Sequence, residues 1–99
     1  MSAIAEAWER TKRAVVEVYR PHAAPNAGAG LHSLRFKRDN ASGEETVGIA
    51  VFLRTGDGTS TEYEFSCVVP TNEELYIRML DSLAEGFRTS VDRLMGLPS

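Results

Sequence analysis

Val47-Gly48-Ile49-Ala50-Val51-Phe52-Leu53 is the stretch that decides the fold. Val47, Ile49, Val51 and Leu53 alternate with Gly48, Ala50 and Phe52, and a period of two among β-branched residues marks a strand with one buried face. Downstream, Thr55-Gly56-Asp57-Gly58 supplies residues that tolerate positive φ. Tyr63, Phe65, Cys67 and Val69 then alternate with Glu62, Glu64, Ser66 and Val68. Upstream, Leu34 and Phe36 alternate with Ser33, Arg35 and Lys37, and Asp39 to Gly43 carries turn chemistry. Strands at about 31–38, 45–54 and 60–69, joined by short turns, imply an antiparallel meander.

The flanking segments switch to helical periodicity. Over 2–20, Ile4, Trp8, Thr11, Val15, Val18 and Tyr19 recur at spacings of three and four, with Ala7 and Ala14 widening the stripe and Pro21 ending it. Over about 72–95, Tyr76, Leu80, Leu83, Phe87, Val91 and Leu94 form a central stripe. Leu75 and Met79 extend it on one side, Ile77, Ala84 and Met95 on the other. Thr71-Asn72-Glu73-Glu74 matches a capping box with Thr71 as the cap. Residues 21–30 hold two prolines and two glycines without apolar periodicity, which predicts a mobile loop. The whole, 1–99, reads as a single α+β domain of order α-β-β-β-α, with both helices on one face of the sheet.

Composition narrows the function classes. A chain of 99 residues with 42% hydrophobic and 25% charged content has room for one core and no more. No window approaches the roughly 20 apolar residues of a membrane span. One cysteine, Cys67, cannot form an internal disulfide, and together with the charged first turns this predicts a cytoplasmic protein. Residues 1–43 carry +3 and residues 44–99 carry −6, so a general affinity for nucleic-acid phosphate is not expected.

Catalytic and metal-binding patterns are not assembled in the sequence. Cys67 shares the buried parity of Tyr63 and Phe65 and is expected to be core material, and His22, His32 and Cys67 match no zinc spacing. Asn26 to Gly30 follows a helix and precedes a strand, the reverse of a phosphate-binding loop. No catalytic residue, cofactor or metal is therefore assigned.

The expected function is a non-enzymatic protein-interaction module acting as a homodimer or larger homo-oligomer, such as a small adaptor, inhibitor, immunity or chaperone-like factor. The last helix has an apolar arc wider than one sheet face covers and a length that overhangs eight-residue strands. Phe87, Val91, Leu94, Met95 and Leu97, with Leu75 and Met79, are accordingly the expected interface. A second reading is a small-ligand pocket or active site between helices and sheet, gated by 21–30, with Trp8, Tyr19, Tyr63 and Tyr76 supplying polar tips. A third is nucleic-acid binding through Arg10, Lys12, Arg13, Arg35 and Lys37.

Overall fold

The computed structural model describes residues 2–24, 28–41 and 43–96. Its elements are α1 (Ala3–Tyr19), a single 3-10 turn (Arg20–His22), β1 (Gly30–Ala41), β2 (Glu44–Arg54), β3 (Ser60–Val68) and α2 (Glu73–Leu94). The sheet is antiparallel with order β1-β2-β3, and the α-β-β-β-α arrangement expected from the sequence is the one observed.

Each helix begins at a side-chain cap. Ser2 Oγ accepts the Ala5 N–H at 3.1 Å, and Asn72 Oδ1 accepts the Leu75 N–H at 3.1 Å. Asn72, not Thr71, is therefore the cap of α2. The choice agrees with the stronger capping preference of asparagine, and it places Glu73 and Glu74 in the first turn, where the helix dipole favours them.

The alternation in β2 and β3 faces the way the sequence implies. Val47, Ile49 and Val51 are fully buried and pair with Cys67, Phe65 and Tyr63. Strand β1 departs from strict alternation, because its register with β2 shifts between His32 and Arg35 and Ser33 takes φ 58°. This bulge turns Leu31 inward, where it is completely buried, while Leu34 and Phe36 also pack against the core. His32 moves to the open face and stacks on Phe52 at 5.4 Å.

The core lies between that sheet face and the helices. Phe87, Leu80, Val91 and Val15 are fully buried, and Phe87 meets Phe65 edge-on at 5.8 Å. Trp8 lies by Tyr76, Arg10 by Asp81, and Ala14 and Val18 by Ala84 and Arg88, so α1 and α2 run in the same direction. Three antiparallel strands between the helices require this. At one end of the core, Trp8 Nε1–H donates to Tyr76 Oη (3.1 Å), and Tyr76 Oη–H donates to Glu45 Oε1 (3.2 Å). Glu45 also accepts from Arg38 Nη2 (3.2 Å), whose guanidinium lies 5.6 Å from the Trp8 ring centroid. These four side chains close a ring through α1, α2, β2 and β1.

The segment between α1 and β1 is anchored at both ends. Ala23 bridges to Leu31, and Ala24 N–H donates to Leu31 O at 2.7 Å. Gly30 (φ 138°) brings its backbone so near this segment that a Cβ would lie 2.7 Å from His22 O. Residues 25–27, the middle of the loop expected to be mobile, lie outside the described residues.

Two predictions follow from these local structures. Tyr76→Phe removes both bonds of the tyrosine hydroxyl and leaves the buried Trp8 N–H unpartnered, so urea unfolding is expected to show a loss of about 1–3 kcal/mol. In the β2–β3 turn, Asp57 accepts from the Thr55 hydroxyl and the Thr59 amide, and these bonds lower its pKa from 3.8 to about 2. A depressed carboxyl pKa contributes stability that is complete above the unfolded value and is lost as pH falls through the folded one. The melting-temperature difference between wild type and Asp57→Ala should hold steady above about pH 5 and narrow as pH falls towards 2.

Candidate interaction surface

The two edges of the sheet differ in what protects them. Val69 N–H donates to Glu45 O, and in an antiparallel ladder the direction of the backbone groups alternates from there. Thr61, Tyr63, Phe65 and Cys67 thus turn their N–H and C=O towards β2, while Ser60, Glu62, Glu64, Ser66 and Val68 turn theirs outward. On β1 the corresponding outward residues are Phe36, Arg38 and Asn40, together with Leu31.

Strand β1 carries several devices that discourage pairing. The Ala23–Ala24 strap occupies the outward C=O of Leu31, the bulge at Ser33 breaks the line of the strand, and Lys12 and Arg38 flank the cleft between α1 and β1. Strand β3 shows none of these devices. It pairs with β2 without a register shift and holds no proline, lysine or arginine. Its two carboxylates are drawn back over the sheet: Arg35 bonds Glu62 at 2.7 Å and Lys37 bonds Glu64 at 3.0 Å. In the ladder Arg35 is opposite Ala50 and Lys37 opposite Gly48, and these short residues leave the two side chains room to cross β2.

Beside the β3 edge runs a groove of about 430 Å³ between Glu64–Cys67 and α2, with Ser82, Gly86 and Ser90 on its helical wall. Met79 and Leu75 continue that row one and two turns earlier on α2. Among the described residues the large apolar side chains most exposed are Val68 (58%), on the open face of β3, and Leu75 (50%), on α2. The apolar arc of α2 is thus shared three ways. Its centre lies on the sheet, Ile77 and Ala84 lie towards α1, and Leu75 and Met79 are covered least.

This arrangement redistributes the residues expected at an interface. Phe87 and Val91 have no exposed surface and belong to the protomer core. Leu94 and Met95 are half-buried, Met79 is half-buried against the core, Leu75 is exposed, and Leu97 lies outside the described residues. The overhang is smaller than expected, because β1, β2 and β3 have 12, 11 and 9 residues, roughly 40, 36 and 30 Å, against about 33 Å for the 22 residues of α2. Sequence reasoning passed over Val68 and the stripe Ser82, Gly86 and Ser90, although the i, i+4, i+8 spacing of small residues was there to be read.

The other candidate residues are also placed. Cys67 is half-buried on the core side of β3. The His32 ring lies 3.3 Å from Ser60 Oγ and 3.1 Å from Ser33 Oγ, and no cluster of three metal-ligating side chains occurs among the described residues. Trp8 and Tyr76 bond each other, so their polar tips are not directed at a ligand. Arg10, Arg35, Lys37 and Lys12 are each within salt-bridge distance of a carboxylate. A second cleft of about 430 Å³ lies between the outer sides of the helices. Thr11, whose buried Oγ1 has no partner, is among its lining residues, and none of them comes from 21–30.

No family model matches the chain, and neither a curated protein nor a solved structure does. No helix among the described residues is long and apolar enough to cross a membrane.

The assignment of Phe87 to the core and Leu75 to the surface separates two substitutions. Phe87→Ala is expected to cost the protomer about 3–5 kcal/mol in chemical denaturation. Leu75→Ala, measured in dilute protein, should change stability by less than about 0.5 kcal/mol.

Proposed function

We propose that the protein is a non-enzymatic protein-interaction module, of the adaptor, inhibitor, immunity or chaperone-like kind, that works as a homo-oligomer. The observation that carries this reading is the unguarded β3 edge, with Val68 exposed on the open face of that strand and Leu75 exposed on the neighbouring helix α2. An open row of strand donors and acceptors beside exposed apolar side chains is a surface that other chains pair with, and single domains ordinarily block it. The one free thiol, half-buried against the core, is compatible with action in a reducing compartment such as the cytoplasm.

The small-ligand reading keeps one supporting observation, the cleft between the helices with the unpartnered Thr11 hydroxyl nearby. Its walls are charged residues that already bridge to each other, Arg10 with Asp81 and Arg88 with Glu85. The interaction reading accounts for more of the surface.

Self-association is tested by light scattering on the purified chain, whose protomer mass is 10.9 kDa. The expected result is a species of about 22 kDa or more at tens of micromolar that dissociates on dilution. A constant protomer mass up to about 100 µM would remove homo-oligomerisation from the function.

A further inference from the structure

We propose that β3 pairs antiparallel with β3 of a second copy, about a two-fold axis beside Phe65 and Gly86. The two sheets then form one sheet of six strands, with the two α2 helices side by side. The inference rests on the self-association reading above and specifies its geometry.

Three features of the edge select a second copy as the occupant. An antiparallel β3–β3 ladder brings together two strands whose outward backbone groups belong to residues of the open face, so both protomers keep their helices on the same side. Centred on Phe65, this register sets Glu64 opposite Ser66 and Glu62 opposite Val68 of the other copy. No carboxylate is then directly opposite a carboxylate. Glu64 and its counterpart are diagonal neighbours across the axis, and Lys37 neutralises each within its own chain, as Arg35 does Glu62. The alternative self-pairing, β3 against β1 of the next copy, meets the Ala23–Ala24 strap and the bulge. It would also leave an open-ended array in place of a closed dimer.

The helical wall supplies an independent reason. Gly86 sits inside α2, where glycine costs about 1 kcal/mol relative to alanine. Nothing in the protomer calls for it, because its φ is not positive and a Cβ there would meet no atom within 4 Å. Gly86 and its neighbours Ser82 and Ser90 line the groove with Phe65 and Ser66. The axis that centres the strand pairing on Phe65 therefore also brings Gly86 next to Gly86 of the second copy. A helix with small residues on that side can approach another helix closely.

The test combines solution mass with amide hydrogen exchange on the wild-type chain, so that it does not depend on a variant. In the dimer, the outward amides of Glu62, Glu64 and Ser66 should exchange roughly 100-fold more slowly than those of Phe36 and Arg38, which face outward on the β1 edge. The protection should fall on dilution. Two variants complete the test: Ser66→Pro removes an N–H that β2 does not use, and Gly86→Leu fills open space. Each is expected to remain folded by circular dichroism and to run as a protomer. A wild-type chain that stays monomeric overturns the self-association reading and this geometry together, and leaves a strand from a different protein as the occupant of the edge. A wild-type dimer whose Glu62, Glu64 and Ser66 amides exchange as fast as those of Phe36 and Arg38 overturns the geometry alone. So does a dimer that survives both substitutions.

Discussion

The ring of Trp8, Tyr76, Glu45 and Arg38 is the constraint on which the arrangement of elements depends. Each member comes from a different element, and each satisfies a group that would be costly to leave alone at the margin of a core. Arg38 has the inward parity, opposite Val47, but lies at the margin of the core with its side chain largely exposed, and Glu45 and the face of Trp8 receive its guanidinium. The ring fixes the N-terminal ends of both helices at the end of the sheet where β1 finishes and β2 begins. From there the helices run in the same direction down the sheet, and the buried residues of α2 fall in order onto the core. The polar end thus specifies the alignment, and the apolar body below it supplies most of the stabilisation.

The same alignment makes the sheet asymmetric. Because the chain enters β1 from the end of α1, the connecting backbone passes along the β1 edge and caps it through Ala23 and Ala24. Strand β3 leads through a short link into α2, so no comparable segment crosses its edge. The open face is asymmetric as well. In the Arg35–Glu62 and Lys37–Glu64 pairs the cations come from β1 and the carboxylates from β3, and they meet across the central strand. That cross-sheet pairing buries Ala50 completely and leaves β3 with little net charge to repel a neighbouring strand. A fold with this connectivity has one defended edge and one available edge, and the interaction surface proposed above follows from topology as much as from hydrophobicity.

The fold was legible in the sequence because its signals are local. Alternation in 47–53 and 63–69, the three-and-four spacing of the helices and the Gly-Asp-Gly turn each state one element's preference, and the structure keeps them all. The bulge was less legible, since Leu31, Leu34 and Phe36 turn inward together only if one residue is inserted, and period-two counting from Leu34 and Phe36 points Leu31 the wrong way. The overhang that placed Phe87 and Val91 at an interface was reckoned from eight-residue strands, and β1, expected over 31–38, spans 12 residues. Burial of Phe87 and Val91 depends on how the sheet and α1 pack on α2, which no count along the chain states. The ring was invisible for a different reason: its bonds join residues 31 and 68 positions apart, and no spacing rule connects them.

Two glycines show how far the protomer explains its own sequence. Gly48 lies in the central strand, where a Cβ would come within 2.8 Å of Phe65 O and 3.2 Å of Ser66 Cβ, so close packing of β2 on β3 accounts for it completely. Gly86 has open space around it and lies in a helix that any residue but proline would favour more. A sequence that specifies one structure keeps its local choices consistent with the fold, and exceptions concentrate where the chain serves something other than its own folding. Gly48 is an exception resolved inside the protomer. Gly86 is not, and it lies beside the one sheet edge that the protomer leaves undefended. The two anomalies, one of local propensity and one of topology, occur on the same side of the molecule, and the second copy proposed above would account for both.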